Sequence, residues 1–406
     1  MINSNNQSKE VKVCHITSLV DGREKSGTAT WTRNLITEFN NSFPSIKQFL
    51  LHFDSSDDPI YKLPGVIEIK VPLIRFEVKG RRFISLLIFL VRNYKTLVEF
   101  DVVHWHTVRV LPIFPFIKTK RTVVTIHDAG IYELTQLRTL ANYSHRSVLR
   151  LFRRQIHSII VMSDHAKSRI IKKSRFHKNR IDVVPCATNL DRIIPSAPEF
   201  EASDIELQNY ILCVSRWQPH KNVESLILGY QIACEQLKEL PYLILVGKPH
   251  AAESKVQVLL ESLKFCHGKI RVVSDLKESQ IAFLNKNCRF SVTPSLYEGF
   301  GLTVLESMIF GRPAIVHRFC ATAEVVNEEF CLVDMRNPRE IGTKIIELST
   351  NHKILESISS KMLIHSQKYS WHETCLRTHE IYRKIMEPPA GIEPAAFALR
   401  ERRSTD

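Results

Sequence analysis

The protein is a chain of 406 residues, 44% hydrophobic and 24% charged, a composition that excludes fibrous and wholly disordered classes. A chain of this length is too long for one ordinary hydrophobic core, so it predicts two domains. The formal net charge of +14 lies entirely in residues 1–200, which carry 31 Lys and Arg against 17 Asp and Glu. This basic half predicts an anionic partner, such as phospholipid, nucleic acid or an acidic substrate.

Targeting signals and bound metals find little support in the sequence. The N-terminus is polar up to the first strand and lacks the apolar core of a signal peptide. The longest apolar run, FISLLIFLV at 83–91, is shorter than the ~20 residues that a membrane span needs. Nine scattered cysteines without CxxC spacing favour reduced thiols over a zinc or disulfide framework. We therefore expect a cytoplasmic protein.

Apolar runs that end in polar residues alternate with amphipathic segments, which predicts parallel sheets built from strand–helix units. In chain order the strand-forming runs are VKVCHIT, DVVHWHT, RTVVTIHD, HSIIVMS, NRIDVVP, YILCVSR, LPYLILVGK, KIRVVSD, CRFSVTPS and RPAIVHR. A segment rich in Pro, Ser and acids at 192–208 is the predicted linker between two doubly wound α/β domains. Ligands of such sheets bind beyond the carboxyl ends of the strands, so we expect a cleft there.

The stretch YEGFGLTVLE places Glu298 in a glycine turn and Glu306 about one turn into a predicted helix that begins near Leu302. The glycines at 299 and 301 let backbone approach a ligand, and the N–H groups at the helix start suit a phosphate. The two carboxylates suit pairs of hydroxyls. A nucleotide sugar, with phosphates in the middle and polyols at both ends, fits this pattern. The alternative is an ordinary turn glutamate and an exposed helix glutamate.

Two cations follow the first strand of the second half, in SRWQPHKNVESLILGY. Arg216 and Lys221 lie in the loop and at the helix start, where a planar fork and a point charge can both reach a diphosphate. The alternative is a pair of solvated surface cations.

The first half offers weaker signals. Gly27 opens a helix after the first strand, where a phosphate or sugar could approach, although a simple turn also explains it. His127 ends a strand at the expected ligand-binding edge. His104 and His106 alternate along a strand and face the same side. No acidic or cysteine ligand lies near them at metal spacing, so we expect no metal site.

Together these motifs resemble retaining glycosyltransferases of the GT-B fold, in the large family 4 that includes bacterial mannosyl- and glucosyltransferases and sucrose synthase. The resemblance covers residues 11–387. It rests on EGFGLTVLE, on SRWQPHKN upstream, on LILVGK between them, and on SWHETCLRTHEIYRKI, which is similar to the family's terminal helix.

The fold that this resemblance implies is α/β, with two Rossmann-like doubly wound domains that face each other across a cleft. We expect an acceptor domain at 1–198 and a nucleotide-sugar-binding domain at 199–369. A crossover helix at 370–387 is expected to pack on the first domain. Residues 388–406 contain a double proline and no periodicity, and we interpret them as a disordered or spurious tail.

The resemblance also implies a role for each matching residue. Glu298 would contact the hydroxyls of the donor sugar, and Glu306 would hold the ribose. Arg216 and Lys221 would neutralise the diphosphate, and His127 would lie beside the donor sugar. These residues, Glu306 excepted, are the expected catalytic set. The other donor contacts, through backbone groups or close approach, would come from Gly27, Gly247, Phe300, Gly301 and Leu302.

The implied chemistry is electrostatic. The bond to the nucleoside diphosphate breaks as positive charge develops at the anomeric carbon and negative charge on the departing diphosphate, which the cations stabilise. The sequence contains no D-x-D motif, so no metal and no cofactor are expected. We favour attack from the front face over a double displacement.

A strongly basic and apolar segment, RFEVKGRRFISLLIFLVRNYKTL, spans residues 75–97. One interpretation is a buried helix with a basic entry loop. The other is an interfacial helix that docks on anionic lipid. The proposed lipid contacts are Arg75, Lys79, Arg81 and Arg82. This second interpretation fits a lipid or lipid-linked acceptor and a peripheral position on the inner face of the membrane. The sequence contains no RNA-binding motif, zinc finger or basic repeat, so no nucleic-acid partner is expected.

The leading hypothesis is a retaining hexosyltransferase that uses a UDP- or GDP-sugar and a saccharide or lipid acceptor. One alternative is a GT-B UDP-sugar epimerase, which would turn over the sugar without an acceptor. The other is a non-catalytic GT-B protein that binds a sugar nucleotide or a membrane. Loss of donor binding on replacing Lys221 would favour the transferase over the non-catalytic protein.

Overall fold

The computed structural model describes residues 10–17, 27–53, 58–78, 81–107, 119–128, 130, 146–147, 149–151, 153–174, 176–198, 209–248, 255–262 and 268–387. The chain divides into two compact units. Unit 1 comprises Met1–Met162, Lys167–Pro185 and Trp371–Asp406, and unit 2 comprises Ser163–Ala166 and Cys186–Ser370. The tail predicted at 388–406 lies outside the described residues.

All ten predicted strands are present, and three more of the described strands, at 46–53, 66–71 and 332–333, were not predicted. The strands are β1 Val11–Ile16, β2 Ile46–Phe53, β3 Val66–Val71, β4 Val102–Trp105, β5 Thr122–Ile126, β6 Ser158–Val161, β7 Ile181–Val183, β8 Tyr210–Val214, β9 Tyr242–Val246, β10 Ile270–Val273, β11 Phe290–Thr293, β12 Ala314–His317 and β13 Leu332–Val333. The helices are α1 Gly27–Ser42, α2 Arg81–Arg92, α3 Tyr94–Val98, α4 Asp164–Ser174, α5 Val223–Gln236, α6 Lys255–Ser262, α7 Glu278–Asn287, α8 Leu302–Met308, α9 Ala321–Val326, α10 Pro338–Thr350, α11 His352–Ser366 and α12 Trp371–Met386.

The sheet of unit 1 has seven strands in the order β3-β2-β1-β4-β5-β6-β7, and every pairing is parallel. Strands β4, β5 and β6 are buried along their whole length. Such continuous Val- and Ile-rich runs are typical of parallel strands covered by helices on both faces. The strand order reverses between β1 and β4, and a crevice for ligands forms at such a switch point.

The sheet of unit 2 repeats this plan with six parallel strands in the order β10-β9-β8-β11-β12-β13. Its strand order reverses between β8 and β11. The loops after these two strands carry Arg216, Lys221 and Glu298. Two doubly wound parallel sheets confirm the predicted α/β fold class.

Helix α12 packs on α1 within unit 1. Trp371 meets Trp31 edge-to-face with ring centroids 6.0 Å apart, and Tyr382 stacks on Phe39 at 5.4 Å. All four side chains are buried, so aromatic contact and apolar burial together attach the C-terminal helix to the first sheet's unit.

The sequence-based boundary at 198/199 differs from that of the structure, which changes unit at 185/186. The physical reason is a set of contacts from the intervening segment to α7. The backbone N–H of Ser196 donates to Ser279 O at 3.1 Å, and the two hydroxyls lie 2.8 Å apart. The Pro- and Ser-rich composition predicted a linker there, but these contacts attach it to unit 2.

Candidate functional site

The loops after β8 and β11 lie side by side at the switch point of unit 2. The backbone N–H of Leu296 donates to His220 O at 2.9 Å, which ties one loop to the other. Lys221 ends a short 3-10 turn, Pro219–Lys221, directly before α5. This connection brings Lys221 next to Glu298, although the two residues lie 77 positions apart in the chain.

Lys221 and Glu298 form an ion pair. Lys221 Nζ donates to Glu298 Oε1 at 2.5 Å, and the two side chains are 21% and 18% exposed. Partial shielding from water makes such a charge-assisted hydrogen bond stronger than an ordinary surface pair. The sequence placed both residues at a donor site but gave no sign that they bind each other.

Asn222 fixes the loop that carries Lys221, and sequence reasoning missed it. Its backbone is left-handed, with φ of 54°, directly before α5. Its side-chain amide donates to Met335 O at 2.7 Å and to Pro294 O at 3.3 Å. Asn tolerates this conformation better than most residues, so an Asn just before a predicted helix was the available signal.

Arg216 lies in the same loop and is exposed. Among the residues that the structure describes, its guanidinium has no side-chain or backbone partner. Its carbonyl accepts a hydrogen bond from the N–H of Gln218 at 2.9 Å, which tightens the turn between Arg216 and the 3-10 segment. The site therefore holds one paired cation, Lys221, and one cation open to an anionic ligand.

Gly247 follows β9 where only glycine fits. Its φ is +150°, and a Cβ there would lie 2.0 Å from Ser215 O. The backbone N–H of Ser215 also donates to Val246 O at 2.9 Å. The ends of β8 and β9 thus approach each other too closely for any side chain between them.

The segment from Glu298 to Glu306 presents backbone rather than side chains around α8. Phe300 is 7% exposed and meets Tyr369 edge-to-face at 5.6 Å, so its ring is committed to packing. Gly301 caps the helix with φ of 110°, and a Cβ there would meet Thr322 Cγ2 at 2.6 Å. Within the described chain, the backbone N–H groups of Leu302 and Thr303 have no acceptor. They are available to an anionic ligand.

Glu306 lies in α8 in an environment that disfavours its charge. The side chain is part exposed, yet burial raises the pKa of its carboxyl group to about 8, and the negative charge of Glu278 raises it further. No cation or hydrogen-bond donor contacts it among the described residues. Hydroxyl donors from a ligand would satisfy the carboxylate in a way that the protein itself does not.

Gly27 and His127 belong to unit 1. Gly27 is the first residue of α1 and is exposed, and a Cβ there would meet nothing within 4 Å. His127 Nε2 donates to His106 O at 3.0 Å, which leaves Nδ1 as the acceptor of the neutral ring. Burial lowers the pKa of His127 to about 4, so the ring is neutral near pH 7.

His106 belongs to a buried histidine cluster with His15 and His104, and His15 was not foreseen. One ring nitrogen from each of the three residues lies within 4.8 Å of the other two. His15 Nδ1 lies 3.0 Å from His106 Nε2, and His104 and His106 stack at 4.1 Å. Burial lowers the pKa of all three, so the rings are neutral.

Three neutral imidazoles are ligands that zinc and copper accept. However, both nitrogens of His104 are already hydrogen-bonded, to Tyr382 Oη at 2.6 Å and Thr125 Oγ1 at 2.7 Å. Among the described residues the cluster includes no carboxylate that would balance a buried cation. We therefore describe the cluster as a hydrogen-bonded network, and the expectation of no metal site stays a prediction.

The basic segment forms a loop and helix α2, whose two faces differ. Leu86 and Leu90 are fully buried, while Ile88 and Val91 are 38% and 53% exposed. In the loop before it, Phe76 is 78% exposed and Val78 is 48% exposed. One face of α2 is therefore packed and the other is open, and docking on lipid stays a prediction.

The four expected lipid contacts differ in their surroundings. Arg75 and Arg82 are exposed, and the Arg82 guanidinium lies 5.7 Å from the centroid of the Phe53 ring. Arg81 instead donates from Nε to Ile74 O at 2.7 Å and lies 3.6 Å from Glu77, so it holds the loop. Lys79 lies outside the described residues. None of the helices in the described chain is long and apolar enough to cross a membrane.

Comparison with protein families gives two matches. A model described as "Glycosyl transferases group 1" matches residues 197–362, and one described as "Glycosyltransferase Family 4" matches residues 27–192. The two matches together span most of the chain.

Two curated relatives are bacterial mannosyltransferases. O-antigen chain mannosyltransferase B of Escherichia coli is 25% identical over 279 residues, which cover 66% of this chain and 71% of that protein. The serotype-specific mannosyltransferase WbdA of Escherichia coli is 22% identical over 315 residues, which cover 76% of this chain but only 37% of that protein.

Solved structures share the fold. Sucrose-phosphate synthase from Thermosynechococcus elongatus has a TM-score of 0.74 at 17% identity, over 92% of this chain and 99% of that one. HepE of Anabaena, in complex with UDP and glucose, has a TM-score of 0.68 at 16% identity, over 92% of this chain and 100% of that one. At such identities the likeness establishes the fold alone.

Proposed function

Because the chain belongs to the glycosyltransferases of family 4, enzymes that move a sugar from a nucleotide-sugar donor, we propose that it is a retaining hexosyltransferase that needs no metal ion. One observation carries the donor assignment. A lysine and a glutamate pair at the switch point of unit 2, in the same unit as the open backbone N–H groups of Leu302 and Thr303. The solved HepE complex with UDP and glucose, a protein of the same fold, supports a nucleotide-sugar donor, and we propose a UDP- or GDP-sugar.

The diphosphate, the sugar and the ribose of a nucleotide sugar would each have a matching group in unit 2. The diphosphate would bind to Lys221, to Arg216 and to the N–H groups at the start of α8. Charge-assisted hydrogen bonds to phosphate are among the strongest that side chains make. The carboxylate of Glu298 would accept hydroxyls of the sugar, and that of Glu306 would accept those of the ribose. Gly247 keeps the backbone after β9 without a side chain beside Ser215.

The transfer breaks the bond between the anomeric carbon and the diphosphate oxygen, which keeps the electron pair. The acceptor hydroxyl oxygen forms the new bond to the anomeric carbon on the same face. Its proton passes to the departing diphosphate oxygen. Arg216 and Lys221 stabilise the negative charge on that leaving group, and preorganised charges of this kind act without a metal ion.

Two further donor contacts are proposed for unit 1 on the resemblance to the family. Gly27 would let the phosphates come close to the backbone, which agrees with the open space around its Cα. His127 would contact the donor sugar through Nδ1, the nitrogen that its bond to His106 O leaves as an acceptor. A neutral ring with this tautomer favours a hydroxyl group as its partner.

For the acceptor we propose a lipid or a lipid-linked or cell-surface saccharide, with the enzyme peripheral on the membrane. The exposed apolar and basic side chains of the loop and helix 75–95 support this proposal, because such segments dock on anionic lipid. The E. coli relatives are mannosyltransferases named for O-antigen chains and serotypes, and such saccharides are a compatible acceptor class.

The test is a thermal-shift screen of the metal-free protein with UDP-glucose, UDP-galactose, UDP-GlcNAc, GDP-mannose and ADP-glucose. We expect stabilisation by one nucleotide family, since a ligand that binds only the folded state raises the unfolding temperature. Lys221→Ala should weaken binding and reduce the shift. Lys361→Ala, which removes an ion-paired but distant lysine, is the matched control.

The same screen separates the alternatives. A flat response to every nucleotide sugar would contradict the transferase and favour the non-catalytic membrane-binding protein. Conversion of the bound sugar without an acceptor would favour the epimerase. Release of nucleoside diphosphate only when an acceptor is supplied, in the presence of EDTA, would support the metal-independent transferase.

A further inference from the structure

Lys221 would be shared between two anions, the carboxylate of Glu298 and the diphosphate of the proposed ligand. Its ammonium lies 2.5 Å from Glu298 Oε1, and both side chains are about four-fifths buried. The described residues offer Glu298 no second ion-pair partner, since Arg216 lies exposed without a contact to it. Lys221 is also the cation that the proposed function directs at the diphosphate.

Glu298 would attract Lys221 to a different extent before and after transfer of the sugar. In the complex with the intact donor, sugar hydroxyls would donate to the Glu298 carboxylate and partly satisfy it. After transfer the nucleoside diphosphate carries no sugar, and the carboxylate has no hydroxyl donor. The attraction between Glu298 and Lys221 is then greatest at the stage when the nucleoside diphosphate has to dissociate.

We propose that Glu298 competes with the bound diphosphate for Lys221 and so weakens the binding of the nucleoside diphosphate product relative to the intact donor. This inference rests on the proposed function of unit 2. It needs no loop to move, because the hydrogen bond from Leu296 N–H to His220 O and the side chain of Asn222 hold the Lys221 loop in place.

The experiment is isothermal titration calorimetry of the full chain with UDP, GDP, UDP-glucose and GDP-mannose. Glu298→Gln keeps the shape of the side chain and removes its charge. We expect the variant to bind the matching nucleoside diphosphate about three- to tenfold more tightly, a size typical of one partly shielded ion pair. Its affinity for the nucleotide sugar should not rise by the same factor, because the contact to the hydroxyls is weakened.

Two controls separate competition for Lys221 from general repulsion between a carboxylate and phosphates. Glu224→Gln removes a negative charge from the first turn of α5 without touching the ion pair. It should leave the diphosphate affinity unchanged. In a Lys221→Ala background, Glu298→Gln should no longer tighten diphosphate binding, which a double-mutant cycle measures directly.

The outcomes are distinct. If the wild type binds a nucleoside diphosphate and Glu298→Gln binds it equally or more weakly, the competition is overturned while the proposed function stands. An equal gain in the Lys221→Ala background likewise overturns it. If none of the four nucleotides binds the wild type, the proposed function fails and this inference fails with it.

Discussion

The carboxyl group of Glu306 has a raised pKa, and the neighbours that raise it come from elsewhere in the chain. The E-x7-E spacing predicts that this residue accepts hydroxyl groups of a ligand. Burial is the main cause of a pKa near 8, and Glu278, at the start of α7, adds to it. Near pH 7 the unliganded carboxyl group is therefore mostly protonated, and a ligand that donates several hydrogen bonds to it favours its ionised form.

This gives a prediction for the pH dependence of nucleotide affinity. Ribose hydroxyls favour the ionised carboxylate, so binding lowers the pKa of Glu306 and releases a proton. Affinity for the matching nucleoside diphosphate should therefore rise as the pH goes from 7 towards about 8 and level off above it, by at most about tenfold per pH unit.

Calorimetric titration between pH 7 and pH 9 measures this dependence. The range lies above the second phosphate ionisation, near pH 6, so the ligand keeps its charge. Glu306→Gln should show a flat profile and serves as the control. A wild-type affinity that falls with rising pH would contradict the role given to Glu306.

Alanine substitutions at two glycines of the predicted site should affect stability in different ways. Gly247→Ala would place Cβ 2.0 Å from a backbone oxygen at a φ of +150°, so we expect the free energy of unfolding to fall by at least about 2 kcal/mol. Gly27→Ala meets open space, and its effect on stability should stay within about 0.5 kcal/mol.

Urea unfolding of both variants measures the difference. If Gly247→Ala were as stable as the wild type, the backbone after β9 would have to be able to move away from Ser215. A stable Gly27→Ala with reduced affinity for the donor would support the proposed phosphate contact of Gly27, since its stability excludes a folding defect.

Among the elements, α8 and α2 differ in how far the sequence described them. The sequence predicted that α8 begins near Leu302, and the helix begins there. It ends at Met308, and a turn leads to Gly311 with φ of 66°. For α2 the sequence allowed two interpretations, a buried helix and an interfacial helix, because apolar residues lie on most sides of the helix.

The exposed face of α2 predicts binding to anionic membranes. Wild type should sediment with vesicles that contain phosphatidylglycerol and not with pure phosphatidylcholine vesicles, because both cations and apolar side chains are exposed there. Replacing Phe76 and Val91 by serine should weaken this binding about tenfold or more, since each removes apolar area that would insert.

The matched control is Ile364→Ser. It removes an apolar side chain of unit 2 that is 69% exposed on α11, and it should leave vesicle binding unchanged. Failure of the wild type to sediment with anionic vesicles would remove the membrane from the proposal and leave the donor assignment untouched.

On the scale of the whole molecule, the buried histidines make unit 1 sensitive to acid. Burial lowers the pKa of His15 to about 3 and that of His127 to about 4, and lowers those of His104 and His106 as well. Below the ordinary histidine pKa near 6.5 the unfolded chain takes up protons that the folded unit does not. The free energy of unfolding is therefore highest, with respect to these histidines, above pH 6.5, and it falls as the pH drops towards 4.

Urea unfolding at pH 7 and pH 5 tests this, and each histidine contributes up to about 1.4 kcal/mol per pH unit. Three of the four tryptophans, Trp31, Trp105 and Trp371, belong to unit 1, so fluorescence reports mainly on that unit. His15→Asn should reduce the difference between the two pH values, and the exposed His352→Asn should not. Equal stability at pH 5 and pH 7 would contradict the effect of the histidines.

The sequence by itself determined the fold class and the family, and it predicted which residues would bind a nucleotide sugar. Apolar runs with polar ends predict parallel strands, and motifs at those ends fall at the carboxyl edge of the sheet. What only the tertiary structure decided depends on contacts between distant segments. The Lys221–Glu298 pair, the anchoring of Asn222, the pKa of Glu306 and the histidine cluster around His15 each need residues that only folding brings together. Local sequence patterns carry no information on such distances.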